Sequence, residues 1–92
     1  MKYVLMGRLG SQWAARQEER LSSAKEKLDQ LGIKLEAVYY TQGRYDFVDI
    51  VESPTPEALM NFTIWYVTKG FGRIQSMPAF EPEVLARAIE DV

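Results

Sequence analysis

The spacing of apolar and polar positions changes several times along the chain, and each change marks an element. Lys2 to Leu9 (KYVLMGRL) is a β-prone run that ends at Gly10, which predicts a first strand and then a loop. Ser11 is placed to cap a helix after that loop. Trp13, Leu21, Ala24, Leu28 and Leu31 then fall on one side of a helix at about 100° per residue, with Glu18, Glu19, Lys25, Lys27 and Asp29 elsewhere. Gly32 is the expected stop. Ile33 to Thr41 (IKLEAVYYT) alternates and is rich in β-branched and aromatic residues, and Asp46 to Glu52 (DFVDIVE) reads as a further strand. Gln42, Gly43, Arg44 and Tyr45 leave room between them for a tight turn, with Gly43 the natural residue at positive φ. Thr55 opens a second helix as the cap before Pro56, and that helix runs to about Lys69. Gly70 and Gly72 bracket the turn into a last strand, Arg73 to Phe80, and Pro82 starts a short terminal helix through about Glu90.

Strand, helix, strand, strand, helix, strand, helix is the split βαβ order of an α+β, ferredoxin-like βαββαβ domain with a C-terminal helix. Its antiparallel sheet carries helices on one face and leaves the other open. An even hairpin loop divides the two middle strands into two sets. Leu35, Ala37, Tyr39, Val48 and Ile50 form a nearly pure apolar set, expected under the helices. Lys34, Glu36, Val38, Tyr40, Phe47, Asp49 and Val51 are expected on the open face, where Val38, Tyr40, Phe47 and Val51 are too apolar for water and call for a partner sheet. The second helix is apolar on two sides: Ala58, Leu59, Phe62, Trp65 and Tyr66 on one, Met60, Ile64 and Val67 on the other. The terminal helix, with Val84, Leu85, Ala88 and Ile89 on one face, is placed to cover that second stripe from its own chain or from another subunit.

Composition sharpens this picture. Ninety-two residues make one domain, 1–92, with a thin core, and 47% hydrophobic residues exceed what so small an interior holds. A homodimer or higher homo-oligomer is the expected outcome. Eleven Lys and Arg against 13 Asp and Glu give a net charge of −2, and no basic run exceeds two residues, so nucleic acid is not expected as a partner. No apolar run approaches the roughly 20 residues of a membrane span, and the first residues lack a signal-peptide core, so no membrane partner and a cytoplasmic location are expected. The absence of Cys excludes disulfides, thiolate catalysis and thiolate metal sites. The absence of His removes the usual general base near neutral pH, leaving carboxylates, Tyr, Lys and Arg. No cofactor and no metal are expected.

At the hairpin the chain reads YYTQGRYDFVDIVESP. This resembles the GYD-domain family, whose signature of Gly, a variable residue, Tyr and Asp is matched by Gly43, Tyr45 and Asp46. The resemblance extends over roughly Leu21 to Glu83, with Asp49 standing where an apolar residue is expected. It implies a small ferredoxin-like protein similar in architecture to the dimeric α/β-barrel proteins, among them cofactor-free monooxygenases, muconolactone isomerases and haem-handling proteins, and it implies no activity. KGFG at Lys69 to Gly72 echoes the start of an RNA-binding octamer, but the next residues do not continue it, and a turn explains both glycines.

Two functions fit these residues. In one the chain is a non-enzymatic homo-oligomeric binding or structural module whose sheet face is consumed by the subunit contact. Gly43 then makes the turn, Tyr45 packs beside the hairpin and Asp46 accepts backbone N–H bonds. In the other it is a small-molecule enzyme or carrier with a pocket beside the sheet. Asp49 then serves as base or anchor, Tyr40 and Arg73 as polar contacts, and Arg44, Tyr45 and Asp46 as a rim orienting a small acidic or phenolic ligand.

Overall fold

The computed structural model describes residues 1–92. In chain order the elements are β1 (Lys2–Leu9), α1 (Gln17–Gln30), β2 (Lys34–Tyr40), β3 (Phe47–Glu52), α2 (Pro56–Thr68), β4 (Gly72–Pro78) and α3 (Pro82–Ala88). The strands form one sheet in the order β2-β3-β1-β4, with every pairing antiparallel. This is the expected α+β, ferredoxin-like arrangement.

Local chemistry sets the helix ends. Thr55 caps α2 by accepting from the Ala58 N–H at 3.1 Å, with Pro56 in the first turn. Both long helices close alike: Gly32 and Gly70 take left-handed φ values of 71° and 75°, and the next residue donates back to the last turn, Ile33 to Leu28 at 2.9 Å and Phe71 to Tyr66 at 3.3 Å. Ile33 and Phe71 are thereby swung into the core. The first helix starts later than its apolar spacing predicts, at Gln17, and Ser11 does not cap it. Trp13 turns in to meet Phe71 edge to face at 4.5 Å, and Arg16 lies 4.0 Å over its ring, so the segment before Gln17 is a wrapped turn.

The core lies between one face of the sheet and the two long helices, with Leu5, Val51, Phe47, Leu28, Phe62 and Tyr66 at its centre. The hairpin register is the expected one, Val38 opposite Asp49, Tyr39 opposite Val48 and Tyr40 opposite Phe47. From Ala37 onward the face assignment is the reverse of the expectation, whereas Leu35 lies under the helices and Glu36 on the open face as expected. Phe47, Asp49 and Val51 lie under the helices with Val38 and Tyr40, and a bulge between Leu35 and Ala37 moves Leu35 to join them. Two causes explain the reversal. Gly7 opposite Phe47 leaves room for that ring, since a Cβ on Gly7 would sit 1.9 Å from it, and Arg20 of α1 offers Asp49 a compensating charge.

The open face is therefore the more apolar one. Val4, Met6, Ala37, Tyr39, Val48, Ile50 and Met77 share it, with Tyr39 62% exposed. Charges sit at its two ends. Arg8 pairs with Arg73 at one, and Lys2, Glu36 and Glu52 lie at the other. The α3 helix buries no residue and packs against no other element. Its projection gives a radius of gyration of 14.5 Å, where a compact chain of this length has about 12 Å. No helix is long and apolar enough to cross a membrane.

Candidate functional site

Arg20, Ala24 and Leu28 recur at helical spacing along the buried side of α1, so a guanidinium enters the core stripe. Arg20 is 3% exposed. Its Nη1 donates to the Tyr66 hydroxyl at 3.3 Å, while its Nε and Nη2 have no partner. Burial works against the Arg20 cation, but the hydroxyls of Tyr66 and Tyr40 outweigh it and raise its pKa. Burial likewise raises Tyr66, with Arg20 pulling the other way.

Below this guanidinium lies Asp49, in the middle of β3. Burial pushes its carboxyl from an ordinary 3.8 up to about 6, against the downward pull of Arg20. Its Oδ1 is buried without a hydrogen-bond partner. The two opposite charges do not meet: no Arg20 nitrogen lies within 4.0 Å of an Asp49 oxygen. Between sheet and helices there remains a small, partly open gap of about 20 Å³, walled by Leu21, Leu28, Leu35, Val38, Phe47 and Phe62 and reached by Arg20, Tyr40, Asp49 and Tyr66. Tyr40 closes its outer end. It is 49% exposed, its hydroxyl accepts from Gln17 Nε2 at 3.0 Å, and its ring centroid is 5.9 Å from the Arg20 guanidinium carbon. A wider hollow between α1 and β2, bordered by Lys25, Asp29, Lys34 and Glu36, is open to solvent and holds none of the unpartnered buried atoms. No group of three or more carboxylates converges anywhere in the fold.

Of the pocket residues singled out in the sequence, the fold brings Tyr40 and Asp49 to this gap and takes Arg73 away. Arg73 lies beside Arg8 on the open face, because β4 presents Ile74, not Arg73, to the helices. The signature turn is tied into the scaffold. Gly43 has φ 143°, Arg44 is exposed, and Tyr45 donates from its hydroxyl to Gln75 Oε1. Asp46 Oδ2 accepts from the Leu9 N–H at 2.8 Å, its own N–H donates to Gly7 O at 2.7 Å, and its carbonyl accepts from Thr41 at 2.9 Å. These four residues stand at the end of the sheet and do not line the gap. In the KGFG segment Phe71 is buried against Trp13, as a helix-to-strand turn requires. Arg20 and Tyr66 were not picked out by sequence reasoning. The available signal was the spacing of Arg20 to Ala24 and Leu28, a charge inside an apolar stripe.

A family model described as the GYD domain matches residues 3–89. No curated protein is significantly similar in sequence. Among solved structures the fold is similar to 5-chloro-2-hydroxyhydroquinone dehydrochlorinase from Burkholderia phenoliruptrix AC1100, solved as a complex with 2,5-dihydroxybenzoquinone. The TM-score is 0.62 at 10% identity, over 91% of this chain and 98% of that one.

Proposed function

The chain belongs to the GYD-domain family, and on that premise we propose that it is a homo-oligomeric protein that binds a small acidic or phenolic molecule between its sheet and its first two helices. The observation that carries this reading is that Arg20 Nε and Nη2 and Asp49 Oδ1, buried polar atoms that no protein group meets, belong to residues lining one small, largely apolar gap. Buried charges are ordinarily paired with each other, because an uncompensated one costs several kcal/mol, on the order of 3–5 when a partner is missing. Two that line one space without touching leave room for a bridging group between them. That the dehydrochlorinase of similar fold holds a small oxygenated ring is in keeping with it.

The open sheet face supports the oligomer. Its apolar centre is bounded by Arg8 and Arg73 at one end and at the other by Lys2, Glu36 and Glu52, whose carboxylates pair with Lys2 and the N-terminal ammonium. A second copy laid against this face covers an apolar patch that water would otherwise meet. Amide and guanidinium NMR spectra recorded with phenol and with benzoate at millimolar concentration test the ligand reading. Shifts are expected at Arg20, Asp49, Phe62 and Tyr66. Shifts confined to the open face, or none, would overturn it.

A further inference from the structure

The buried atoms that lack partners define the ligand that would satisfy them. Arg20 Nε and Nη2 are donors without acceptors, and Asp49 Oδ1 is an acceptor without a donor. A carboxylate ligand offers acceptors only and would set a second negative charge beside Asp49. An amine or amidinium would set a second positive charge beside Arg20. A simple phenol has one oxygen to share between both sides. A hydroxyl and a carbonyl held close together on one ring meet both demands, and the aromatic and branched walls at Phe47, Phe62, Leu28 and Val38 suit a flat ring.

We infer that the gap between Arg20 and Asp49 is a site for a small cyclic enol or hydroxy-ketone, its carbonyl accepting from Arg20 and its hydroxyl donating to Asp49. This rests on the reading of the gap as the ligand site and narrows it to one chemical class. Within that pairing Asp49 takes the hydroxyl proton. The ligand O–H bond breaks, an O–H bond forms on the Asp49 carboxyl, and the charge left on the ligand spreads over its two oxygens beside the Arg20 cation. The burial that strengthens Asp49 as a proton acceptor serves this transfer. A gap of about 20 Å³ holds one water molecule, so a ring enters only if a wall moves. Tyr40 is that wall, since it is half exposed and its side chain is held by an exposed hydrogen bond from Gln17 and by the Arg20 guanidinium near its ring.

Four probes of similar size separate the possibilities: tropolone, with hydroxyl and carbonyl together; tropone, with the carbonyl alone; phenol, with the hydroxyl alone; and benzoate, with acceptors alone. Calorimetric titration of the wild-type protein is expected to show tropolone bound tighter than each of the others by about ten- to a hundredfold, the effect of one satisfied buried partner. Bound tropolone is expected to show the absorption spectrum of its anion at a pH just above 6, where Asp49 is ionised before binding and the free compound is still largely neutral. In Asp49→Asn that spectral change is lost, and in Arg20→Gln the preference over phenol is lost, with thermal melts verifying that both variants fold. Tropone or phenol binding within a few-fold of tropolone, or variants that keep the spectral change, would overturn the hydroxy-carbonyl assignment and leave the cavity reading standing. Absence of any probe-induced NMR shift at the cavity residues would overturn both.

Discussion

Asp49→Asn at neutral pH is expected to make this protein more stable. The wild-type carboxyl goes from an ordinary 3.8 to about 6 on folding because burial disfavours its charge. The folded chain thus holds the proton more tightly than the unfolded one, so folding gains as pH falls and loses as pH rises through 6. A shift of this size corresponds to about 3 kcal/mol between the two extremes. Asparagine has the same shape and no charge, and removes that cost. At pH 8 the variant should exceed wild type by about 2–3 kcal/mol, on the order of 10 °C in melting temperature for a domain of this size. Towards pH 4 the wild-type group is protonated in the fold and the gap should close. The titratable neighbours Arg20 and Tyr66 both have raised pKa values and do not titrate in this range. Urea unfolding of both proteins at several pH values between 4 and 8 measures the effect. A variant less stable than wild type at pH 8, or a difference that does not vary with pH, would show that the carboxylate is solvated or paired and would refute the reasoning.

Three further outcomes are expected. Ile50→Asp places a charge at the centre of the open face, away from the helices, and should yield a folded monomer by light scattering at a concentration where wild type is at least dimeric; a wild-type monomer would remove the oligomer. Gly7→Ala should destabilise by about 1–3 kcal/mol, because its Cβ would meet the buried Phe47 ring, and unchanged melting would mean that the ring moves freely. Asp46→Ala should cost about 1–3 kcal/mol by leaving the Leu9 amide unpaired, whereas Tyr45→Phe should change the melting temperature little, since it loses one exposed bond.

Element order, hairpin register, the helix ends at Thr55 and Gly32 and the turn at Gly70 were legible because each rests on contacts within a few residues. Which face meets the helices was not. A period of two separates the sets without naming them, and the uncharged set passed for the core although here it is the set left open. The reversal turns on two distant facts, the space above Gly7 and the charge of Arg20. Asp49 was legible as an acid among apolar neighbours, and Tyr40 as its companion. Arg20 escaped because a basic residue on an amphipathic helix reads by default as solvated, and only the packing of α1 on β2 and α2 turns it inward.

The bond from Leu9 to Asp46 spans 37 positions of the chain and fastens the end of the central strand to the hairpin turn. The family signature is on this view a clasp, a mark of how the sheet is closed. Residues 20 and 49 stand outside it. On the proposed reading, the residues that choose the ligand are not the residues that close the sheet, so a substitution at position 20 or 49 is expected to change what the protein binds while leaving the clasp as it is.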